Sequence, residues 1–331
     1  MFSYIKMRSR LYNIDTLKFL CAILVIFIHV SPTPYHKYFL PLTRCAVPCF
    51  FIISGFLIFS ENKSKLEEHL IRSTKKTFYI LLWSTALFAI VKLVFAFHSH
   101  DFGFLNINSL INFVFFNENP FGYHLWYISA YLYTLIIILF LNRKNKIKWV
   151  YPFIFVFLLL DLCLGKYSLL LWNKEFPYLL VRNFLCVGIP YFCIGMLIKR
   201  WEKVIQQLNL REWAVGGIIL FSITSFVEKE MLLYYNINTT REHYISTTFL
   251  AISLFLFFLS IKQKSNIFSE IGEKDSLYIY ILHPLFITFF NIINKHLTHE
   301  WQNIYLYWSP IIILIATILL SKSLRLSHII K

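Results

Sequence analysis

Lys18 and His29 stand eleven positions apart in an apolar stretch that opens at Asp15. On a helix, eleven steps of about 100° nearly close three turns, so the two side chains point within about 20° of each other, about 16 Å apart along the axis. A cation and a titratable imidazole on one stripe of a membrane helix are costly to bury, and as a rule such groups line functional cavities. Other ionisable residues sit in or beside apolar stretches: Arg44, Lys92, His124, Asp161, Arg182 and His283. The chemistry open to this set is proton exchange at imidazole and electrostatic binding at a cation. No phosphate-binding Walker loop, dinucleotide-binding glycine fingerprint, His-Glu-x-x-His zinc pattern or Gly-x-Ser-x-Gly nucleophile elbow is present.

The elements that must position these residues are helices in a bilayer. Of 331 residues 58% are apolar and 19% aromatic, in long blocks rather than in alternation. That pattern predicts an all-α, polytopic membrane protein. The net charge of +15 does not indicate a nucleic-acid binder, because the bases lie between apolar blocks, as membrane topology requires. All six cysteines fall in apolar segments without a Cys-x-x-Cys, so buried, inert thiols are expected rather than disulfides or a metal cluster. The first apolar run lacks a small-residue cleavage site and reads as a span rather than a secretion signal. The sequons at Asn62 and Asn238 are short patterns of little weight.

Ten spans are predicted, at 13–31, 39–59, 77–98, 124–141, 149–164, 178–198, 213–227, 244–261, 276–294 and 303–321, the fifth and seventh short. Loops on the side of the N-terminus then carry 22 Lys and Arg and the opposite loops six, with Lys18, Arg44, Lys92 and Arg182 inside spans. The positive-inside rule places both termini in the cytoplasm. Segment 60–76 reads equally as an interfacial helix or a solvated loop, and 99–123 as a long outer loop with a turn-rich tail.

Orientation converts sequence into depth. Lys18 falls in the inner half of the first span, and His29, Arg44 and His124 near outer ends, where they are expected to converge. His283 lies about two turns into the ninth span, nearer mid-membrane. Each has a blander reading. His29 caps a helix near the headgroups, Lys18 snorkels inward, Arg44 anchors an interface, His124 belongs to an aromatic belt, and His283 satisfies a carbonyl freed by Pro284. Asp15 reads as a helix cap or the partner of a base near the inner face, Lys92 and Arg182 as snorkelling anchors, and Asp161 as interfacial.

Together, in order along the chain, these residues resemble the acyltransferase-3 family of integral membrane acyltransferases, which modify cell-surface glycans and related molecules. The resemblance rests on Lys18 and His29 behind Ile14-Asp15, then on Arg44-Cys-Ala-Val47-Pro48-Cys-Phe50-Phe51-Ile-Ile-Ser54-Gly55-Phe56. It continues in His124-Leu125-Trp126-Tyr127 and closes with Tyr278 and His283-Pro284-Leu285-Phe286. Lys18 stands where many members have Arg, which keeps the charge but loses the bidentate fork. The chain is expected to be a single membrane acyltransferase domain over 1–331, without the hydrolase-like domain fused to some members.

The resemblance implies an O-acyltransferase, most simply an O-acetyltransferase of the cell's inner or plasma membrane. Acetyl-CoA is its donor, no cofactor is permanently bound, and no metal is expected. The acceptor is a hydroxyl of a surface polysaccharide or its lipid-linked precursor. His29 is then the general base and Arg44 the group that stabilises the oxyanion or positions the donor. Lys18 meets the CoA phosphates, and Asp15, His124, Trp126, Tyr278 and His283 belong to the substrate-binding set. The rival class is a transporter or exporter of a polysaccharide or acyl intermediate; inverted repeats would favour it, and the sequence shows none.

Overall fold

The structure is a computed structural model, and it describes residues 10–30, 36–208, 210–237 and 243–326. The sequon at Asn238 and four of the counted charges (Lys6, Arg8, Arg241 and Lys331) lie outside these residues. The described residues form helices α1 (Tyr12–His29), α2 (His36–Thr43), α3 (Ala46–Ile58), α4 (Lys63–Ser99), α5 (Ile107–Phe116) and α6 (Trp126–Arg143). They continue as α7 (Phe153–Leu164), α8 (Ser168–Trp172), α9 (Ile189–Arg200), α10 (Glu202–Gln207), α11 (Arg211–Tyr234) and α12 (Ile245–Ser260). The chain closes with α13 (Ile267–Lys274), α14 (Ser276–Asn294) and α15 (His299–Leu326).

Among the described residues eight helices are long and apolar enough to cross a membrane: Tyr12–His29, Phe39–Ile58, Lys63–Ser99, Tyr123–Arg143, Ile147–Leu164, Tyr178–Arg200, Ser276–Asn294 and His299–Arg325. The protein is an all-α, multi-pass membrane protein. The seventh and eighth expected spans are also helices, but less simple ones. α12 has 16 residues, about 24 Å against a hydrocarbon core of about 30 Å. α11 carries Glu228, Lys229 and Glu230 in its last two turns. Glu228 is satisfied there by the Tyr167 hydroxyl at 2.5 Å and by the backbone N–H groups of Ile245 and Ser246, which open α12.

Segment 60–76 is no separate interfacial helix. From Lys63 it is the start of the 37-residue α4, capped by Asn62, whose side chain accepts from the Lys65 N–H at 3.0 Å. Segment 99–123 contains a helix as well, α5, most of whose apolar side chains are exposed. The turn that follows is built by asparagines. Asn117 adopts a left-handed conformation, φ 57°, and its buried amide joins the Trp126 carbonyl to the Phe184 N–H. Asn119 accepts from the N–H groups of Phe121 and Gly122.

Lipid offers no hydrophobic drive between helices, so close backbone approach has to supply packing. Two glycines let α3 cross α9: a Cβ on Gly55 would stand 1.9 Å from the Phe192 carbonyl oxygen, and one on Gly195 2.1 Å from that of Ile52. α3 is the most enclosed helix, and its Phe51, Ile52 and Phe56 are fully buried. Five cysteines are buried as expected, and Cys163 is half-buried.

Candidate active site

Four elements each line two cavities, one further along the axis than the other. α1 places Lys18 in the first and His29 in the second. α4 contributes Lys76, Thr77 and Ile80 to the first, then Phe88, Lys92 and Phe95 to the second. Tyr127 and Tyr131 of α6 face the first, while Tyr123 and His124 in the preceding 3-10 turn face the second. α14 gives Ser276 and Tyr280 to the first, Pro284 and Thr288 to the second. The cavities hold about 380 and 490 Å³. Eight residues of α4, about 12 Å, separate their facing ends.

Three imidazoles occupy the region between them. The His29 and His283 rings are 5.1 Å apart, and those of His124 and His283 5.8 Å. His124 lies within electrostatic reach of both others. Tyr280 packs 6.1 and 6.2 Å from the rings of His124 and His283, and its hydroxyl donates to the His124 carbonyl. The edge of Tyr127 meets Tyr280 at 5.2 Å, so two tyrosines wall the first cavity off from the histidines.

The orientation of His283 follows from its own helix. Its Nδ1 donates to the Ile279 carbonyl at 3.0 Å, one turn back, which leaves Nε2 as the lone-pair nitrogen. The kink-satisfying role therefore coexists with a site role. The Nε2 atoms of His283 and His124 are buried without a protein partner among the described residues. Leaving a buried polar atom unpaired costs about 1–3 kcal/mol, a cost that concentrates at functional sites.

At the far end of the first cavity, Lys18 pairs with Asp15 at 2.9 Å. Asp15 also accepts from Arg10 at 3.1 Å, and Arg10 pairs in turn with Glu273, which lines the cavity. Asp15 is itself buried and holds Lys18 in place rather than lining the cavity. The local cause is Gly272: a Cβ there would stand 1.8 Å from the Asp15 carbonyl oxygen, so only glycine lets α13 lie against α1 at this level.

His29 and His124 converge as expected, with His283 joining them. Arg44 does not share their cavity. It lies in the turn between α2 and α3, lines neither cavity and acts electrostatically on Tyr244 at the start of α12. Trp126 is buried in a cage: with Tyr123 and Tyr178 it surrounds the guanidinium of Arg182, 4.7 Å from its ring. Arg182 is thus a buried cation held on aromatic faces rather than a snorkelling anchor. Tyr278 lines neither cavity. Asp161 is buried and binds His243 Nδ1 at 2.7 Å.

The sequence reading does not single out Tyr280 or Lys76, includes Tyr127 only within a motif and takes Lys92 for an anchor. Tyr280 had a legible signal, since it lies three residues before His283 and shares its face, whereas Tyr278 lies five before and about 140° away. Lys92 does not snorkel to water: its ammonium donates to the Pro120 carbonyl at 2.6 Å and sits 4.5 Å over the Phe104 ring. Nothing local in the sequence links positions 92, 104 and 120.

The chain is 26% identical over 312 residues to an amino-acid racemase of Enterococcus faecalis, covering 88% of this chain and 43% of that protein. It is 25% identical over 332 residues to a serine/alanine racemase of Enterococcus gallinarum, covering 92% of this chain and 45% of the relative. The chain therefore spans less than half the length of either relative. No solved structure matches it. The model of the acyltransferase domain (acyltransferase 3) matches residues 11–322, nearly the whole chain and every residue of the two-cavity site, so the chain belongs to that acyltransferase family.

Proposed function

We propose that the protein is an O-acetyltransferase of the plasma or inner membrane, with both termini cytoplasmic. It moves an acetyl group from cytoplasmic acetyl-CoA to a hydroxyl of a surface polysaccharide or its lipid-linked precursor. The observation that carries this reading is the pair of stacked cavities with imidazoles between them. A cytoplasmic donor and an acceptor at the other face need two binding spaces that meet at one reactive group.

In this scheme the CoA phosphates bind at Lys18 and Lys76, and the pantetheine arm runs past Ser54 and Tyr131 toward Tyr127 and Tyr280. Thioester access requires Tyr280 to swing from the His124 carbonyl. His29 lines the acceptor cavity and is more accessible than His124 or His283. It takes the proton of the acceptor hydroxyl as that oxygen attacks the thioester carbon. The C–S bond then breaks, and the thiolate recovers the proton from the imidazolium. Tyr127 and Tyr280 supply the hydroxyls on the wall nearest this step, and one of them donates to the oxyanion. Arg44 acts indirectly, through the packing of α3.

The test is acetyl transfer from labelled acetyl-CoA in nanodiscs, with mass analysis of surface glycan from a deletion strain. Loss of O-acetyl groups in that strain supports the reading. An unchanged glycan, with acetyl-CoA neither bound nor consumed, overturns it. An exporter would use the same stacked cavities as a path, but would keep its transport when His29 is replaced by Gln. The racemase activity named for the relatives is not proposed for this chain.

A further inference from the structure

The second cavity has a mixed character. Its walls are Phe88 and Phe95 of α4, Phe121, and Leu285 and Ile287 of α14, all apolar. Its rim runs into the lipid-facing side of two spans, since Phe95 and Thr288 are exposed beside exposed Val94 on α4 and Phe289 on α14. A soluble sugar finds few hydrogen-bond partners on such walls, whereas a hydrocarbon chain entering sideways from the bilayer fits them.

One fixed cation stands in this cavity. Lys92 is half-buried, and among the described residues it makes no ion pair: its ammonium is held by the Pro120 carbonyl and the Phe104 ring. Asp101 is its acidic neighbour, and that carboxylate is exposed on the loop after α4. An ammonium fixed by neutral groups keeps capacity for an anion. His29 and His124 line the same space.

We propose that this cavity receives the acceptor as a membrane-borne amphiphile, with its hydrocarbon chain between α4 and α14, a phosphate-type anion of its head group on Lys92, and its hydroxyl presented to His29. The inference rests on the acyl-transfer reading and narrows it, placing the acceptor in the bilayer rather than in water.

The test uses the protein in phosphatidylcholine nanodiscs, with a fluorine reporter on a Thr288→Cys variant at the rim. Dodecyl phosphate, dodecanol and glucose 1-phosphate are titrated separately at matched concentration, and the fluorine resonance is followed. Dodecyl phosphate is expected to shift it saturably, while the neutral alcohol and the water-soluble phosphate do not. Lys92→Gln, which keeps a donor for the Pro120 carbonyl, is expected to weaken the dodecyl phosphate response about tenfold, and Lys92→Arg to retain most of it. An equal response to dodecanol, no effect of Lys92→Gln in a monodisperse protein, saturation by glucose 1-phosphate alone, or no response to any probe overturns the proposal. Acetyl-CoA binding is measured in the same discs. Donor binding without a rim response sinks the acceptor assignment alone, and a rim response without donor binding sinks the acyl-transfer reading.

Discussion

In the proposed scheme His29 and Lys18 divide the work of one helix stripe, since each lines a different cavity. His29 faces the second cavity and His283 lies 5.1 Å away, with its own proton held on Nδ1 by the Ile279 carbonyl. Replacing His29 by Gln keeps volume and hydrogen bonding but removes proton exchange near neutral pH. Transfer is expected to fall by about 10²–10⁴-fold with acetyl-CoA binding intact, as measured by labelled acetyl transfer and by equilibrium binding. Substantial transfer by a normally expressed His29→Gln protein would move the base to His124 or His283. Lys18→Gln is expected to raise the KM for acetyl-CoA with little change in kcat. It leaves Asp15 to Arg10 and removes a cation from the first cavity. Lys18→Arg restores the charge and is expected to recover most of the affinity. Identical behaviour of the two variants would leave Lys18 no donor role.

At the scale of elements, the site depends on how closely helices approach. Gly272 sets α13 against α1 beside Asp15, and a methyl group there meets backbone rather than a side chain that can turn away. Gly272→Ala is expected to cost about 1–3 kcal/mol through overpacking. It should also raise the KM for acetyl-CoA, because the Asp15–Lys18 pair moves with α1. Gly216→Ala is the control, since a Cβ at that position meets nothing within 4 Å. Thermal unfolding and donor titration of both variants check this; equal Tm and KM in the two would show that α13 does not brace the pair. The family-like Ser54-Gly55-Phe56 stretch gains a physical meaning here: Ser54 lines the first cavity, Gly55 admits α9, and Phe56 is buried in the crossing.

At the scale of the whole molecule, the stacked cavities demand a fixed orientation. Asp101 lies in the loop after α4 and Lys146 in the loop after α6, both exposed and on opposite sides of the expected bilayer. With both termini in the cytoplasm, a Cys at position 101 is expected to react with an impermeant maleimide in intact cells, and a Cys at 146 only after permeabilisation. Five native thiols are buried, and half-buried Cys163 sets the background to be subtracted. Labelling of both positions from the same side would break the donor-inside, acceptor-outside scheme.

The sequence carried the apolar spans and the helical phase of their residues, but not the early start of α4 or the short α5. Apolar blocks long enough to cross a bilayer must become helices, because lipid offers no other partner for the backbone. The helical repeat alone puts Lys18 and His29 on one stripe and His124 at the head of its span. Distances across helices have no such rule. Their register is set by carbonyl-to-glycine contacts at Gly55, Gly195 and Gly272, and by the asparagine-built turn at 117–122. Tertiary packing therefore decided that His283 meets His29 and that Lys92 turns into the second cavity. It also decided that Arg44, in the turn between α2 and α3, stands apart from both cavities.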